Sequence, residues 1–465
     1  MQHRRSLGAA LLVAASVLSV TCGPGSAPGI GTADRRDVAL LGNEGWIMGP
    51  TSIPDPTVGG YMDAVLDLFL QPATPWFPGQ PTFPGYQFEG LVTPEQFCPL
   101  VCLPPPNPYL TFAESVASGV QILHAALAPQ LADGDRVTVF GYSQSATIST
   151  QEMINLLAAG PGELGGGYDP ANLHFVLIGN PNNPLGGVLT RFPAYPLLGD
   201  QPVHLPFLGI PLSIGPTPTS GFDTDSYTGE YDGLANFPQD PANLLAMINA
   251  LIGTATVHFS YVDFDNLAET IDLGRIGDTD FYLIPQQLPI LWPIYQLGDV
   301  GKVIGDALAP MLKLVIDWGY GNPGDPFVGI NGTDAVGPWA VTAGGQLADG
   351  SDVAGFVLRM DPLQMLAGLQ YAAVHSFVDP VNDLLGFAGL SPLSDSFVDA
   401  LLTGYHLTNA VDAHLLDAWN ELAVSLNVAD WLGPDAVFNG EPLISLAPML
   451  EMGAVAFEIL NFLGA

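Results

Sequence analysis

The stretch from Asp133 to Pro161 leaves this chain little freedom. Asp133-Gly134-Asp135 turns it into Arg136-Val137-Thr138-Val139-Phe140, a β-branched run suited to a buried strand. Gly141-Tyr142-Ser143-Gln144-Ser145 follows, and Ala146 to Ala159 then reads as a helix stopped by Gly160-Pro161. A strand that passes so quickly into a helix must turn sharply, and Gly141 and Ser145 supply the small side chains such a turn tolerates around its apex, Ser143. This pattern is the nucleophile elbow: the apex hydroxyl projects from the carboxyl edge of a parallel sheet, and the amide of Gln144 faces the place where an oxyanion would form. The common pattern has Gly in the fifth position, so Ser145 is a departure.

Strands and helices alternate around this segment from about Asp37 to Gly321, which predicts an α/β sandwich with a mainly parallel sheet. The first strand is expected to end in Trp46-Ile47-Met48. Tyr61 to Leu70 has helical spacing, and residues 72 to 108 read as coil. Thr111-Phe112-Ala113-Glu114 is a capping box for a helix expected to stop at Pro129. His174 to Ile178 and Ser226 to Tyr231 read as strands, and Asp240-Pro241 as the opening of a helix through Ile252. Between them, residues 181 to 222 suit a long loop over a site. Beyond about residue 330 the alternation gives way to apolar helical stretches, Leu363 to Phe377 and Ala447 to Phe462, so residues 330–465 are expected to form a helical C-terminal region.

A serine at an elbow needs a base and an orienting acid, supplied later in the chain in the order acid, then His. His258 in Val257-His258-Phe259 follows a strand-end Asp and a helix, the order expected of a base loop; His204, after Asp200, is a rival. The other histidines, His3, His124, His174, His375, His406 and His414, read as structural or surface residues. Asp232, in Asp232-Gly233 at the end of a strand, is the favoured acid, with Asp223, Asp225 and Asp200 as rivals. The second oxyanion donor is expected in Gly49-Pro50-Thr51-Ser52; Pro50 has no amide proton, which leaves Thr51 or Ser52.

Composition narrows the partners. With 46 Asp and Glu against 10 Lys and Arg the formal net charge is −36, which speaks against a nucleic acid, since phosphates are held by clustered cations. Charged residues make up only 12% and apolar ones 48%, so the chain is built for large cores. At the N-terminus Arg4 and Arg5 precede an apolar run, Leu7 to Val20, and a helix-breaking exit, so residues 1–27 read as a secretion signal or a retained anchor. Export would place Cys98 and Cys102 in an oxidising compartment that favours a disulfide. Free thiols or a metal site are the alternatives, the latter without a second Cys or His pair at ligand spacing. No metal and no cofactor is expected.

Several motifs taken in order carry a resemblance: Trp46-Ile47-Met48-Gly49-Pro50-Thr51, Val139 to Ser145, Val176 to Pro181, Tyr227 to Pro238 with Glu230-Tyr231-Asp232-Gly233 inside it, and Val257-His258. Together they resemble the PE-PPE domain family of actinobacterial serine hydrolases, over residues 38–325. The resemblance implies a cutinase-like α/β-hydrolase fold and a Ser, Asp and His triad on Ser143, Asp232 and His258. Pro50 stands where such sequences usually have Gly. A signal followed directly by this domain looks like family members that act as acyltransferases in trehalose-glycolipid assembly at the cell envelope. The expected activity is ester hydrolysis through an acyl-enzyme, with acyl transfer between trehalose-type glycolipids, or non-catalytic envelope binding, as alternatives. An acyl ester or glycolipid substrate and a peripheral contact with envelope lipid are the partners this implies.

Overall fold

The computed structural model describes residues 42–103, 109–160, 169–191, 204–205, 210–211, 215–238, 243–264, 267–320 and 362–411, with 414 and 418. The N-terminal segment read as a signal, and the helix expected over Ala447 to Phe462, lie outside the described residues.

Among the described residues nine strands run in chain order as β1 (Asn43–Ile47), β2 (Gln87–Gly90), β3 (Arg136–Tyr142), β4 (Leu173–Ile178), β5 (His204–Leu205), β6 (Ile210–Pro211), β7 (Asp223–Gly229), β8 (Ile271–Ile276) and β9 (Thr279–Ile284). Seven of them form one sheet in the order β2-β1-β3-β4-β7-β9-β8, parallel except for the antiparallel β8–β9 pair at one edge; β5 and β6 make a separate antiparallel ribbon. The helices are α1 (Tyr61–Val65), continued by a π-helical turn over Leu66–Leu70, α2 (Phe112–Asp133), α3 (Gln144–Ala159), α4 (Val188–Arg191), α5 (Leu244–Thr256), α6 (Trp292–Tyr295), α7 (Asp299–Trp318), α8 (Pro362–Phe387) and α9 (Asp395–Leu401).

The period-two alternation of the central strands sorts their side chains into two cores. Val137 and Val139 of β3 and Phe175 and Leu177 of β4 pack with Val116, Leu123 and Leu127 of α2 and Ile148 and Leu156 of α3. Phe140, Tyr142, Val176 and Ile178 face the other way, onto Tyr61, Val65 and Phe69. A parallel sheet covered on both faces is the α/β sandwich expected of an α/β-hydrolase, and the C-terminal region that follows is helical where described. There Ala367 and Tyr371 of α8 pack with Leu314 of α7. Among the described residues no helix is long and apolar enough to cross a membrane.

Several boundaries differ from expectation, each for a local reason. β1 begins at Asn43, through Gly45, because β2 and β3 pair with it on both sides and the Phe88 ring occupies the space a Cβ at Gly45 would need. β2 itself lies inside the stretch read as coil. α2 runs through Pro129 to Asp133: buried Leu131 anchors its last turn, and left-handed Gly134 (φ 83°) returns its amide to the Gln130 and Leu131 carbonyls. α5 is capped by Asn243, whose side chain accepts from the Ala246 amide, and extends to Thr256. β7 starts three residues before the strand read at Ser226 and ends at Gly229.

Phe175 is fully buried at the centre of the first core and stacks edge-on against Phe222 at 5.6 Å. Phe175→Ala is expected to destabilise the fold by about 3–5 kcal/mol. Urea unfolding should show this as a lower midpoint with little change in slope.

Candidate active site

The carboxyl edge of the sheet gathers Ser143, Asp232 and His258, each from a different loop. Ser143 sits between β3 and α3 at φ 57°, ψ −113°, a strained conformation for any residue but glycine. Gly141 permits the turn: a Cβ there would lie 2.8 Å from the Ser145 carbonyl oxygen and 3.0 Å from the Ala146 backbone. Ser145, the departure from the usual glycine, is used. Its hydroxyl donates to the Tyr142 carbonyl at 3.0 Å and accepts from the Tyr142 amide at 2.8 Å, closing the bend from inside.

Two glycines bring the acid loop against α5. A Cβ on Gly233 would meet the Ala250 carbonyl oxygen at 2.0 Å, and one on Gly253 would meet the Tyr231 carbonyl oxygen at 1.9 Å. Backbone therefore rests on backbone, and the end of α5 swings back over Asp232, with the amides of Val257 and His258 both donating to the Gly253 carbonyl. From the far side α7 braces the acid loop. Lys313 Nζ reaches Glu230, Asp317 at 3.2 Å and the Tyr231 hydroxyl at 2.6 Å, while Tyr231 holds a left-handed φ of 64° immediately before Asp232. Burial lifts Asp317 to a pKa of about 6 against the pull of Lys313.

His258 and Asp232 are both fully buried, and Ser143 is 6% exposed. The imidazole lies between them: Nδ1 is 2.9 and 2.8 Å from the two Asp232 carboxylate oxygens, and Nε2 is 2.7 Å from Ser143 Oγ. With Nδ1–H donating to the carboxylate, Nε2 is left to accept the serine proton. Asp232 also accepts from the amides of Leu234 (2.8 Å) and Ala235 (3.1 Å) and from the Tyr261 hydroxyl (2.8 Å). Burial works to raise its pKa, but the neighbouring His258, the hydrogen bond to its ring, the Leu234 amide and the Tyr261 hydroxyl outweigh burial, so the carboxyl stays below its ordinary range. Such a carboxylate holds a ring in one tautomer and stabilises the imidazolium formed when the ring takes a proton.

Tyr261 and Tyr142 were not singled out from sequence. Tyr261 is fully buried and accepts from the Gly229 amide at 2.6 Å while donating to Asp232; Tyr142 donates to the His258 carbonyl. Tyr142 adjoins Ser143, and Tyr261 lies one turn beyond His258, which is the only signal either carries.

The rivals lie elsewhere. Asp223 and Asp225 are at the amino end of β7, paired with Arg275 at 2.7 Å and His174 at 2.6 Å. His204 is in the β5–β6 ribbon, and Asp200 lies outside the described residues. His124 pairs with Glu152 and His375 with Asp379. Of the two oxyanion donors expected after β1, one has its amide already engaged. The Ser52 amide donates to the Glu95 carbonyl at 2.9 Å and is occupied, which leaves Thr51. The loop carrying Thr51 leaves β1 beside the elbow, with the Met48 amide donating to the Phe140 carbonyl at 3.1 Å. The Gln144 amide is first in α3, where a helix offers it no internal partner. Cys98 and Cys102 are bonded to each other, with Cα atoms 4.9 Å apart. Among the described residues no cluster of three or more His, Cys, Asp or Glu side chains is set to hold a metal ion.

The sheet order and its helical layers define an α/β-hydrolase-type protein. The profile of the PE-PPE domain matches residues 84–321, and the chain belongs to that family. Its relatives in Mycobacterium tuberculosis include the uncharacterized PPE family protein PPE28, 36% identical over 332 residues (70% of this chain, 46% of that protein). Esterase PE16 is 37% identical over 289 residues (61% and 49%), and diacyltrehalose acyltransferase Chp2 is 27% identical over 332 (66% and 88%). The chain thus spans about half the length of the first two.

Removing the Tyr261 hydroxyl deprives both Asp232 and the Gly229 amide of a partner, at a cost of about 1–3 kcal/mol. Tyr261→Phe is therefore expected to slow covalent labelling of Ser143 by a fluorophosphonate roughly tenfold or more, in timed labelling of protein shown to remain folded.

Proposed function

We propose that this protein is a serine hydrolase of carboxylic, fatty acyl esters, working through an acyl-enzyme on Ser143. The observation that carries this reading is the 2.7 Å approach of His258 Nε2 to Ser143 Oγ, with Nδ1 held by buried Asp232. His258 takes the hydroxyl proton as Oγ attacks the ester carbonyl, and Asp232 stabilises the imidazolium. The oxyanion is received by the amides of Gln144 and Thr51. Collapse of the tetrahedral intermediate expels the alcohol, which takes the proton from His258 and leaves the acyl group on Ser143. A second hydroxyl, from water or a sugar, then attacks the acyl carbonyl as His258 takes its proton, and collapse of this second intermediate breaks the bond to Ser143 Oγ, which recovers the proton from His258 as the acid or new ester leaves.

The kinship with an esterase and with acyltransferases supports ester chemistry, and an acyl substrate suits the surroundings of the base. α5, which delivers His258, exposes Leu244, Ile248 and Leu251 on one face, and Phe259 beside the base is 61% exposed. The second reading, acyl transfer between trehalose-type glycolipids, is supported by the likeness to diacyltrehalose acyltransferase Chp2. The reading places the catalytic domain in residues 38–325, with the helical region 330–465 beside it and residues 1–27 directing the chain to the envelope.

Ser143→Ala is expected to lose at least about 10³-fold in ester turnover, and mass mapping of fluorophosphonate-treated protein should find the adduct on Ser143. Undiminished turnover in Ser143→Ala, or an adduct elsewhere, would overturn the assignment; a folded protein that takes no label would be a binding module. Incubation with a lipid donor and a trehalose acceptor separates the two chemistries. A new sugar ester means transfer, and free fatty acid alone means hydrolysis.

A further inference from the structure

The loop after β2 carries a buried acid that the steps above leave unused. Glu95 is fully buried, and its backbone takes φ 45°, a region non-glycine residues occupy only where their surroundings force it. The Thr93 hydroxyl donates to Oε1 at 2.7 Å, and among the described residues Oε2 has no hydrogen-bond partner. The titratable side chain facing it is Tyr61 of α1, whose hydroxyl donates to the Met48 carbonyl at 3.0 Å. Burial pushes the Glu95 carboxyl up to about 8, with the Thr93 bond opposing, so the group is a neutral acid at neutral pH.

The main chain here joins two loops. The Glu95 carbonyl accepts from the Ser52 amide at 2.9 Å, and the Thr93 amide donates to the Pro54 carbonyl at 3.1 Å. The next carbonyl, that of Gln96, accepts from Gln144 Nε2 at 2.8 Å, and the Gln96 amide donates to Ser115 Oγ at 3.0 Å. Glu95 and Gln96 thus hand successive carbonyls to the loop that carries Thr51 and to the residue that follows Ser143. This segment therefore bridges the Thr51 loop and the Gln144 side chain.

We infer that Glu95 is a positioning residue: in its neutral form it holds the Thr51 loop and Gln144 at the spacing an oxyanion requires, and its ionisation disrupts them. The inference rests on the reading of Ser143 as nucleophile. A negative charge buried beneath this loop opposes the charge developing on the substrate oxygen, and it disturbs a segment packed to enclose a neutral group. The sign follows. A carboxyl raised to about 8 in the folded chain is protonated in the active form, so activity falls as pH rises through about 8. The stability tied to its proton is full below the ordinary carboxylate range and is lost as pH rises through the same value.

The test is the pH profile of ester turnover by the full chain from about pH 6 to 10, with kcat and KM separated. Wild type is expected to lose kcat above about pH 8 with KM little changed, and Glu95→Ala to lose about tenfold in kcat at neutral pH. Glu95→Gln, a neutral group of the same shape, is expected to restore most of that loss and to abolish the alkaline fall. Thermal unfolding provides a readout that needs no activity: Tm should decline between about pH 5 and pH 8 in wild type, and less steeply in Glu95→Gln, where only the remaining raised carboxyls, Asp317 and Asp225, contribute. An alkaline fall and a Tm decline in Glu95→Gln matching those of wild type would overturn the inference. Should that happen while Ser143→Ala is inactive, the nucleophile assignment stands and only the role of Glu95 fails; an active Ser143→Ala fails the assignment itself.

Discussion

A carboxylate without solvent must be surrounded by donors, and the needs of Asp232 organise one end of this molecule. Left uncompensated, an ion buried this deeply would cost several kcal/mol. The chain answers with two amides from its own loop, a tyrosine hydroxyl and an imidazole. Each donor is fixed in turn: Tyr261 by the Gly229 amide, and His258 by its amide on Gly253 and by Tyr142 on its carbonyl. The ring is therefore fixed in orientation before any substrate arrives, and such preorganisation is the usual source of catalytic advantage.

Glycine makes these approaches feasible where any side chain would block them. Gly233 and Gly253 let the acid loop lie on α5, Gly141 lets the elbow close, and Gly179 (φ 52°) lets the end of β4 pass between Tyr142 and Tyr261, whose rings a Cβ would approach to 3.1 and 3.0 Å. Among the described residues the strained non-glycine positions are Ser143 in the elbow, Tyr231 in the acid loop, and Ser52 and Glu95 in the bonded loops after β1 and β2. Strain of that kind persists only where neighbours over-determine the backbone. Here the neighbours are the Ile178 carbonyl on the Ser143 amide, Lys313 on Tyr231, and the mutual bond of Ser52 and Glu95.

Much of this was legible in the linear sequence where local chemistry and tertiary need coincide. The β-branched run before Gly141, the capping box at Thr111 and the order Ser143, Asp232, His258 all identify elements that the structure brings together at one sheet edge. What escaped depends on distant partners. The start of β7, Asp223-Thr224-Asp225, is polar and joins the strand read from Ser226 only because β4 and β9 flank it and His174 takes up Asp225. β2 and the β8–β9 pair gain their strand character from the ladders they join. Pro129 fails to stop α2 because Leu131 is buried beyond it. Neither Tyr261 nor Glu95 belongs to a motif; what distinguishes them is burial and the company each keeps.

The reading of function reduces to whether Ser143 and His258 act as one unit, the base serving only to activate that hydroxyl. A double-mutant cycle in ester turnover addresses this, with Ser143→Ala, His258→Ala and the pair made in the full chain. Groups that act as a unit lose nothing further once either is gone, so the double variant should be no slower than the slower single one, with the remaining rate coming from binding and the oxyanion donors alone. Losses that multiply across the cycle would mean that the two side chains act independently, and would contradict the account.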